Sequence, residues 1–398
     1  MKIAVIIAEY NPFHNGHAEH VAFTKSAGFD AVAAIMSPNF MQRGDVACCS
    51  KWVRAEMALR GGVDLVIELP TPAAISAAEN FAATGVSLAH ALGCVSALSF
   101  GVESAVFEDF ERAFVLTKSV EFNALVQKNL ASGTSYPAAL STSAVDLQEW
   151  QVAEVLRNPN NTLGFEYFKA NAAYAKPLEI VTHKRSGCHD EIISDDRGLG
   201  IVNASHIRKL MQENANFKRF VRGESFKILS DEIGKRNAPA SIKNVENALL
   251  FKLRTMNEND FLNLPDVSEG LENRIVRAVK FAVDYDDLIG KIKTKRYTAA
   301  RIRRILMAAL LDVKQTDVAG KPRYIKVLGM NERGAEILKT VKSVAKLPIV
   351  TGYKDVQKLD DEAKAVFELE CKATDVFGLA TKTVRECGLE KSAKIVKI

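Results

Sequence analysis

The stretch "EYNPFHNGHAEH", residues 9–20, places His14, His17 and His20 within a dozen positions, together with Pro12 and Gly16. It follows directly on the apolar run Ile3 to Ala8. Pro12 lacks an N–H and biases Asn11 toward an extended backbone, so a strand must give way to a loop there. Gly16 permits close backbone approach as a helix begins near Asn15. A helix amino terminus offers unpaired N–H donors and partial positive charge, which stabilise a polyphosphate. His14 and His17 can add donors to phosphate oxygens without carrying a permanent charge. Two other roles compete. A metal site would need His14, His17 and His20 to share one ion, but steps of three drift around a helix, and Pro12 and Gly16 hold His14 in the loop. Simple capping and packing would explain any lone histidine, and here the proline, the glycine and the strand-end setting argue against it.

The elements that position this bend alternate along the first hundred residues. Ile3 to Ala8, Ala31 to Met36, Val63 to Leu69 and Val95 to Phe100 read as buried strands, with helical stretches at Lys51 to Arg60 and Ala73 to Leu92. That alternation predicts a parallel α/β sheet, which binds ligands outside the carboxyl ends of its strands, where the histidine stretch falls. Leu178 to Thr182 reads as a late strand. Beyond about residue 210 the chain turns mostly helical, from runs such as Ser241 to Leu253 and Leu271 to Val283. After about residue 315, "RYIKVLGM" and "LPIVTGY" bracket the helical "NERGAEILKTVKSVAK", which predicts a small closing unit.

With 398 residues, 47% of them hydrophobic, the chain can fill two or three domain cores. No run approaches the roughly 18 unbroken apolar residues of a membrane span. The opening "MKIAVIIAEY" runs into a glutamate instead of a cleavage site, so a cytoplasmic protein with no membrane partner is expected. Cys48, Cys49, Cys94, Cys188, Cys371 and Cys387 form no C-x-x-C pair, and their spread suits reduced thiols. A net charge of +5 is mild. Its distribution is not even: "KIKTKRYTAARIRR", Lys291 to Arg304, holds seven basic residues and no acid. Ile302, Ile305, Leu306 and Leu310 recur at helical spacing, which predicts one buried side with Arg301, Arg303 and Arg304 largely outside. Such a face suits a phosphate backbone, with a merely solvated surface as the competing reading.

"NPFHNGH" resembles the H-x-G-H signature of the nucleotidyltransferase superfamily, whose members attack the α-phosphate of a nucleoside triphosphate and release pyrophosphate. "NASHIRKL", Asn203 to Leu210, resembles the second signature of that superfamily, with Asn203 standing where Ser is expected. Ser205 would cap the helix and contact phosphate, and Arg208 would fork onto pyrophosphate. Taken with "MSPNFMQRGD", "KWVRAEMALRGGVDLVIELP", "LSFGVES", "NPNNTLGFEY" and "KTKRYTAARIRRIL", the chain resembles the tRNA(Met) cytidine acetate ligase family up to about residue 315.

The resemblance implies a Rossmann-like parallel-sheet nucleotidyltransferase domain over residues 1–210, a mainly helical, basic, tRNA-binding domain over 211–315, and a small C-terminal α/β unit over 316–398. It implies activation of acetate by ATP to acetyl-adenylate, then acetylation of the wobble cytidine of elongator tRNA(Met). ATP would be a substrate with Mg2+ on its triphosphate, and no protein nucleophile or resident metal would be needed. His14 and His17 become the catalytic pair. ATP contacts would run through Ile7, Ala8, Glu9, Tyr10, Asn11, Pro12, Phe13, His14, Asn15, Gly16, His17, Ala18, Glu19 and His20. Gly101 would let adenine or ribose approach the backbone, and Asn161, Arg185, Ser205 and Arg208 would complete the pocket. The loop "NFMQRGDVACCSK" could shape the acetate pocket, with Arg43 neutralising the carboxylate and Phe40 and Met41 limiting its size. tRNA would meet Lys293, Lys295, Arg296, Tyr297, Arg301, Arg303 and Arg304. Two functions of other classes compete: a small-molecule adenylyltransferase, which predicts a more compact chain, and a noncatalytic RNA-binding protein, which predicts degraded phosphate motifs.

Overall fold

The computed structural model describes residues 1–104, 106–185, 193–194, 200–268, 270–318 and 320–398, with the backbone alone at 193–194. Its strands are β1 (Ile3–Ala8), β2 (Ala31–Met36), β3 (Phe40–Met41), β4 (Asp45–Val46), β5 (Leu65–Glu68), β6 (Ala97–Val102), β7 (Glu179–Lys184), β8 (Ile193–Ser194), β9 (Gly200–Ile201), β10 (Ile325–Met330), β11 (Ile349–Val350) and β12 (Val396–Lys397). The main sheet runs β11-β10-β5-β2-β1-β6-β7, with β12 beside β10. From β5 to β7 every neighbouring pair is parallel. After β1 the chain builds outward through β2 and β5, then returns to place β6 on the other side. The carboxyl ends of β1 and β6 therefore flank the point where the strand order reverses, the crevice in which open α/β sheets bind ligands.

β1, β2 and β5 are buried along nearly their whole length, because both sheet faces are covered. Their side chains alternate between two cores. Ile3, Val5, Ile7, Ala33, Ile35 and Ile67 face one, with Phe81 and Val86 of helix Ala78–Ala91. Ile6, Val32, Ala34, Met36 and Val66 face the other, with Ala55 and Leu59 of helix Lys51–Arg60 and Ile207 and Leu229 from later helices. Each of the larger of these side chains, Val, Ile, Leu, Met or Phe, contributes on the order of 1.5–3 kcal/mol by leaving water. Helices Ala204–Gln212 and Gly223–Gly234 thus pack on the sheet, and the separate helical core gathers from Ala240 onward.

Two expectations change at the level of packing. The C-terminal segment does not close on itself: β10 pairs antiparallel with β5, so the tail extends the main sheet across the boundary expected near residue 316. The β3–β4 hairpin inserts into the helical core, where Phe40 meets Phe377 of helix Asp361–Leu379 with ring centroids 6.5 Å apart. The join is held by a buried charge cluster. Lys51 Nζ lies 2.5 Å from Glu68 Oε1 and 2.8 Å from Glu390 Oε2, and Lys326 Nζ lies 2.8 Å from Glu68 Oε2 and also pairs with Glu390. Burial alone would raise the Glu68 carboxyl, but Lys326 and Lys51 pull it down to about 2. Among the described residues, Cys48, Cys49, Cys94, Cys371 and Cys387 are free thiols, as expected, and Cys188 lies outside those residues. No helix there is long and apolar enough to cross a membrane.

Candidate active site

The chain leaves β1 at Ala8, turns through Tyr10 with φ at +48°, and enters helix Asn15–Ser26 with His14 as its N-cap. His14 Nδ1 accepts from the Gly16 N–H at 3.1 Å, and His17 Nδ1 accepts from the His14 N–H at 3.3 Å. Two imidazoles thereby do what Ser and Glu do in an ordinary capping box. An accepting Nδ1 is unprotonated, so in both rings the proton resides on Nε2. The rings stack with centroids 3.7 Å apart. Burial, then the charges of Arg185 and Arg208, push the His14 imidazole down to about 3. His17 lies well below the usual histidine range through burial, then His14, Arg185 and His20. Both are therefore neutral single donors at physiological pH, the state that suits holding phosphate oxygens without a fixed charge.

Other residues of the stretch serve its shape. Tyr10, Phe13 and Ala18 are buried in the same core as Ile6, and Ile7 points into the opposite one. Pro12 is buried, while Ala8, Glu9 and Glu19 are half-buried. The Asn11 side-chain oxygen accepts from the Cys48 N–H at 2.7 Å. Asn15 Nδ2 donates to the carbonyls of Gly200 and Arg219 at 3.0 and 2.9 Å, so it faces the interior rather than a ligand. His20 Nε2 meets Ser99 Oγ at 2.9 Å and its ring stacks on His183, placing it as a strut between helix and sheet. Burial, then His183 and Arg185, lower its imidazole to about 3.

The second signature reaches the first. Arg208 Nη1 donates to the Asn11 carbonyl at 2.8 Å and Nη2 to Ser205 Oγ at 3.3 Å. Asn203, not Ser205, caps helix Ala204–Gln212 by accepting from the His206 N–H at 2.8 Å. Asn is as good an N-cap as Ser, so the substitution leaves the cap intact and frees Ser205 to orient Arg208.

At the β6 end, Gly101 serves a side chain rather than a base. A Cβ there would lie 3.0 Å from Arg185 Cγ, so the stem of Arg185 fills the space over the strand. Arg185 Nη1 donates to Asn160 Oδ1 at 3.0 Å, and Asn160 Nδ2 donates to Glu103 Oε1 at 2.7 Å. Asn161 is fully buried beneath them, accepting from the Glu103 N–H at 2.8 Å. It shapes the strand-end turn that its neighbour Asn160 links to Arg185. Of the three residues expected to shape an acetate pocket, Phe40 and Met41 lie in the helical core. Arg43 is exposed on the hairpin turn, close enough to Arg185 for their charges to repel.

The expected RNA face is more engaged than amphipathic spacing implied. Arg301, Arg303 and Arg304 are all half-buried. Arg301 donates to the Asp266 carbonyl at 2.9 Å and to Ser268 Oγ at 2.8 Å, and Arg304 pairs with the Asp266 carboxylate at 2.9 Å. Helix Ala299–Leu311 touches the β3–β4 hairpin directly: a Cβ on Gly44, which has φ +72°, would fall 2.4 Å from the Arg303 backbone. Lys293, Lys295 and Arg296 are exposed, and Tyr297 is buried.

Sequence reasoning missed Arg54. It is fully buried and donates to the carbonyls of Cys49 at 3.2 Å, Glu9 at 2.7 Å, Ser37 at 3.0 Å and Pro38, tying together the loops after β1 and β2. An arginine in a helical stretch carries no local mark of such burial. His183 was also missed, although its pairing opposite Gly101 follows once β7 is placed beside β6. Among the described residues no group of three or more His, Cys, Asp or Glu side chains gathers as a metal site.

A parallel sheet whose first strand ends in two neutral imidazoles, faced by Arg185 just after β7 and Arg208 on helix Ala204–Gln212, is the frame of a nucleotidyltransferase. The chain belongs to the HIGH nucleotidyl transferase family, whose sequence profile matches residues 1–391, and within it to the tRNA(Met) cytidine acetate ligases. It is 35% identical over 410 residues to the tRNA(Met) cytidine acetate ligase of Thermoanaerobacter sp. (strain X514) and 32% identical over 416 residues to that of Acetivibrio thermocellus, with 100% of each chain covered in both comparisons. The fold is similar to the crystal structure of Thermotoga maritima TmcAL bound with alpha-thio ATP, at 32% identity and TM-score 0.90, and to the apo form at 31% and 0.91, each covering 100% of both chains.

Proposed function

We propose that the protein activates acetate with ATP and transfers the acetyl group to the wobble cytidine of elongator tRNA(Met). A carboxylate oxygen of acetate attacks the α-phosphorus, the bond to the β-phosphate oxygen breaks, and pyrophosphate leaves with that electron pair. The exocyclic amine of cytidine then attacks the acetyl carbonyl, AMP departs, and the nitrogen loses a proton. Both reactants of the first step are anions, so positioning and electrostatic stabilisation dominate it.

The observation that carries this reading is the pair of Nε2–H donors on His14 and His17, fixed by the Nδ1 bonds, at the point where the strand order reverses. In this assignment they hold triphosphate oxygens, Arg208 takes the pyrophosphate, Arg185 faces the phosphates, and Arg43 meets the acetate carboxylate. Magnesium enters with the triphosphate as part of the substrate. RNA lies on the helical region through Lys293, Lys295 and Arg296, next to the buried Tyr297 and the half-buried Arg301, Arg303 and Arg304. The packing of Gly44 on Arg303 supports this, since it sets that region against the β3–β4 hairpin, whose Gln42 N–H donates to Glu9 Oε1 just after β1 at 2.8 Å. Such a role belongs with the cytoplasmic tRNA pool.

Incubation with labelled acetate, ATP and total tRNA, followed by nucleoside analysis, tests the assignment. Label in N4-acetylcytidine from tRNA(Met), with AMP and pyrophosphate released, is the expected result. Adenylyl retained in a small product would instead establish a small-molecule adenylyltransferase, and tRNA binding without acetate or ATP turnover a noncatalytic RNA binder.

A further inference from the structure

Two phenylalanines of the helical region stand in solvent: Phe251 is 72% exposed and Phe281 69%. Their helices, Glu246–Thr255 and Leu271–Phe281, already bury Leu249, Leu250 and Leu253 on one and Ile275, Ala278 and Val279 on the other, so neither ring is needed for the core. The two are joined through Arg254. It sits one helical turn after Phe251 and donates from Nη2 to the carbonyl of Ala282, next to Phe281, at 2.9 Å.

The surroundings are cationic. Arg274, Arg277 and Phe281 follow each other on one helical stripe, with Lys280 beside them. Arg277 and Lys280 are exposed and have no ion pair among the described residues. Of the nearby acids, Glu246 and Asp286 both pair with Lys243, Asp287 pairs with Lys291, and Asp284 accepts from the Asp287 N–H as a helix cap. Arg274 donates to the carbonyls of Ile292 at 2.6 Å and Lys291 at 3.0 Å, so the stripe runs into the segment carrying Lys293, Lys295 and Arg296.

We propose that Phe251 and Phe281, flanked by Arg277 and Lys280, form a stacking surface for unpaired nucleotides of an RNA substrate. The rings take bases and the cations take phosphates, which is the pairing of groups that binds single-stranded nucleic acid. This rests on the assignment of tRNA as acceptor. It places part of the RNA contact on helices other than the basic run at 291–304.

The test is tRNA binding by fluorescence anisotropy, with unfolding temperature as the check on folding. The Phe251→Ala/Phe281→Ala double variant should bind at least about tenfold more weakly, on the scale of stacking lost per base. Phe281→Leu should be as weak as Phe281→Ala, whereas Phe281→Trp should match wild type, because stacking needs a π-face and apolar area alone does not supply one. Arg277→Gln/Lys280→Gln should lower the slope of log affinity against log salt by about 1.4, the single-strand value for two phosphates. Wild-type affinity in the double alanine variant, or rescue by leucine, overturns the surface. A dimer in sedimentation that the alanines dissolve would show instead that it joins two copies. If wild-type protein binds no tRNA, the acceptor assignment fails as well; if it binds and every variant matches it, only the surface fails.

Discussion

Arg208 donates from Nη1 to the carbonyl of Asn11 at 2.8 Å, joining positions 197 residues apart. The second signature thus braces the bend that carries the first, and its charge also helps keep His14 neutral. One guanidinium can hold Asn11, contact Ser205 and still present donors, whereas an ammonium is a point charge without the fork. Arg208→Lys should lower acetate-dependent exchange of pyrophosphate into ATP by roughly 100-fold, the scale of one lost preorganised donor. Near-normal exchange would show that the fork is dispensable.

Gly16→Ala probes how closely the imidazole is placed. The added Cβ would sit 3.2 Å from His14 Cε1 and 3.3 Å from Nδ1, so the ring must move by a few tenths of an ångström. Misplacement of that order should reduce exchange about tenfold with little change in unfolding temperature. A fully active alanine variant would mean that the position of the His14 ring does not limit turnover.

Protonation should unfold this protein before most carboxylates titrate. His14 and His20 are held down to about 3 in the folded chain, against a reference near 6.5 when unfolded. The unfolded state therefore binds the extra protons. Stability from these rings is complete above about pH 6.5 and declines as pH falls toward 3, by up to ~1.4 kcal/mol per ring per pH unit. Urea midpoints between pH 7.5 and 5 should show the decline, and NMR of the two imidazoles should find no midpoint above pH 5. A midpoint near 6.5 for either ring would contradict its burial in neutral form.

Arg54→Met should be costly despite its similar size. It leaves the carbonyls of Glu9, Ser37, Pro38 and Cys49 without their shared donor in a buried place. Each abandoned acceptor costs ~1–3 kcal/mol before relaxation, so a net loss of about 3–5 kcal/mol is expected in equilibrium unfolding. Arg54→Lys should recover only part of it, and full recovery by lysine would show that the fork geometry is immaterial.

Lys293→Gln/Lys295→Gln isolates charge at exposed positions, unlike reversal of Arg301 or Arg304, which would also break their bonds to the 266–268 loop. The double variant should raise the KM for tRNA at ordinary salt and lower the salt slope by about two, with kcat largely kept. An unchanged salt slope would remove these lysines from the RNA contact.

Local chemistry was legible in the sequence. The apolar runs located β1 and β2 to the residue, Pro12 and Gly16 marked the bend, and the helix does begin at Asn15. These features depend on a few adjacent residues, so their physics is complete within a short window. Tertiary structure decided which way each functional side chain points and what it meets: His20 onto Ser99, Phe40 and Met41 into the helical core, Arg185 over Gly101, Arg54 among four carbonyls, and β10 antiparallel beside β5. Contacts such as these join residues tens to hundreds of positions apart. Strand order and register select them, and neither is encoded in the periodicity of any one segment.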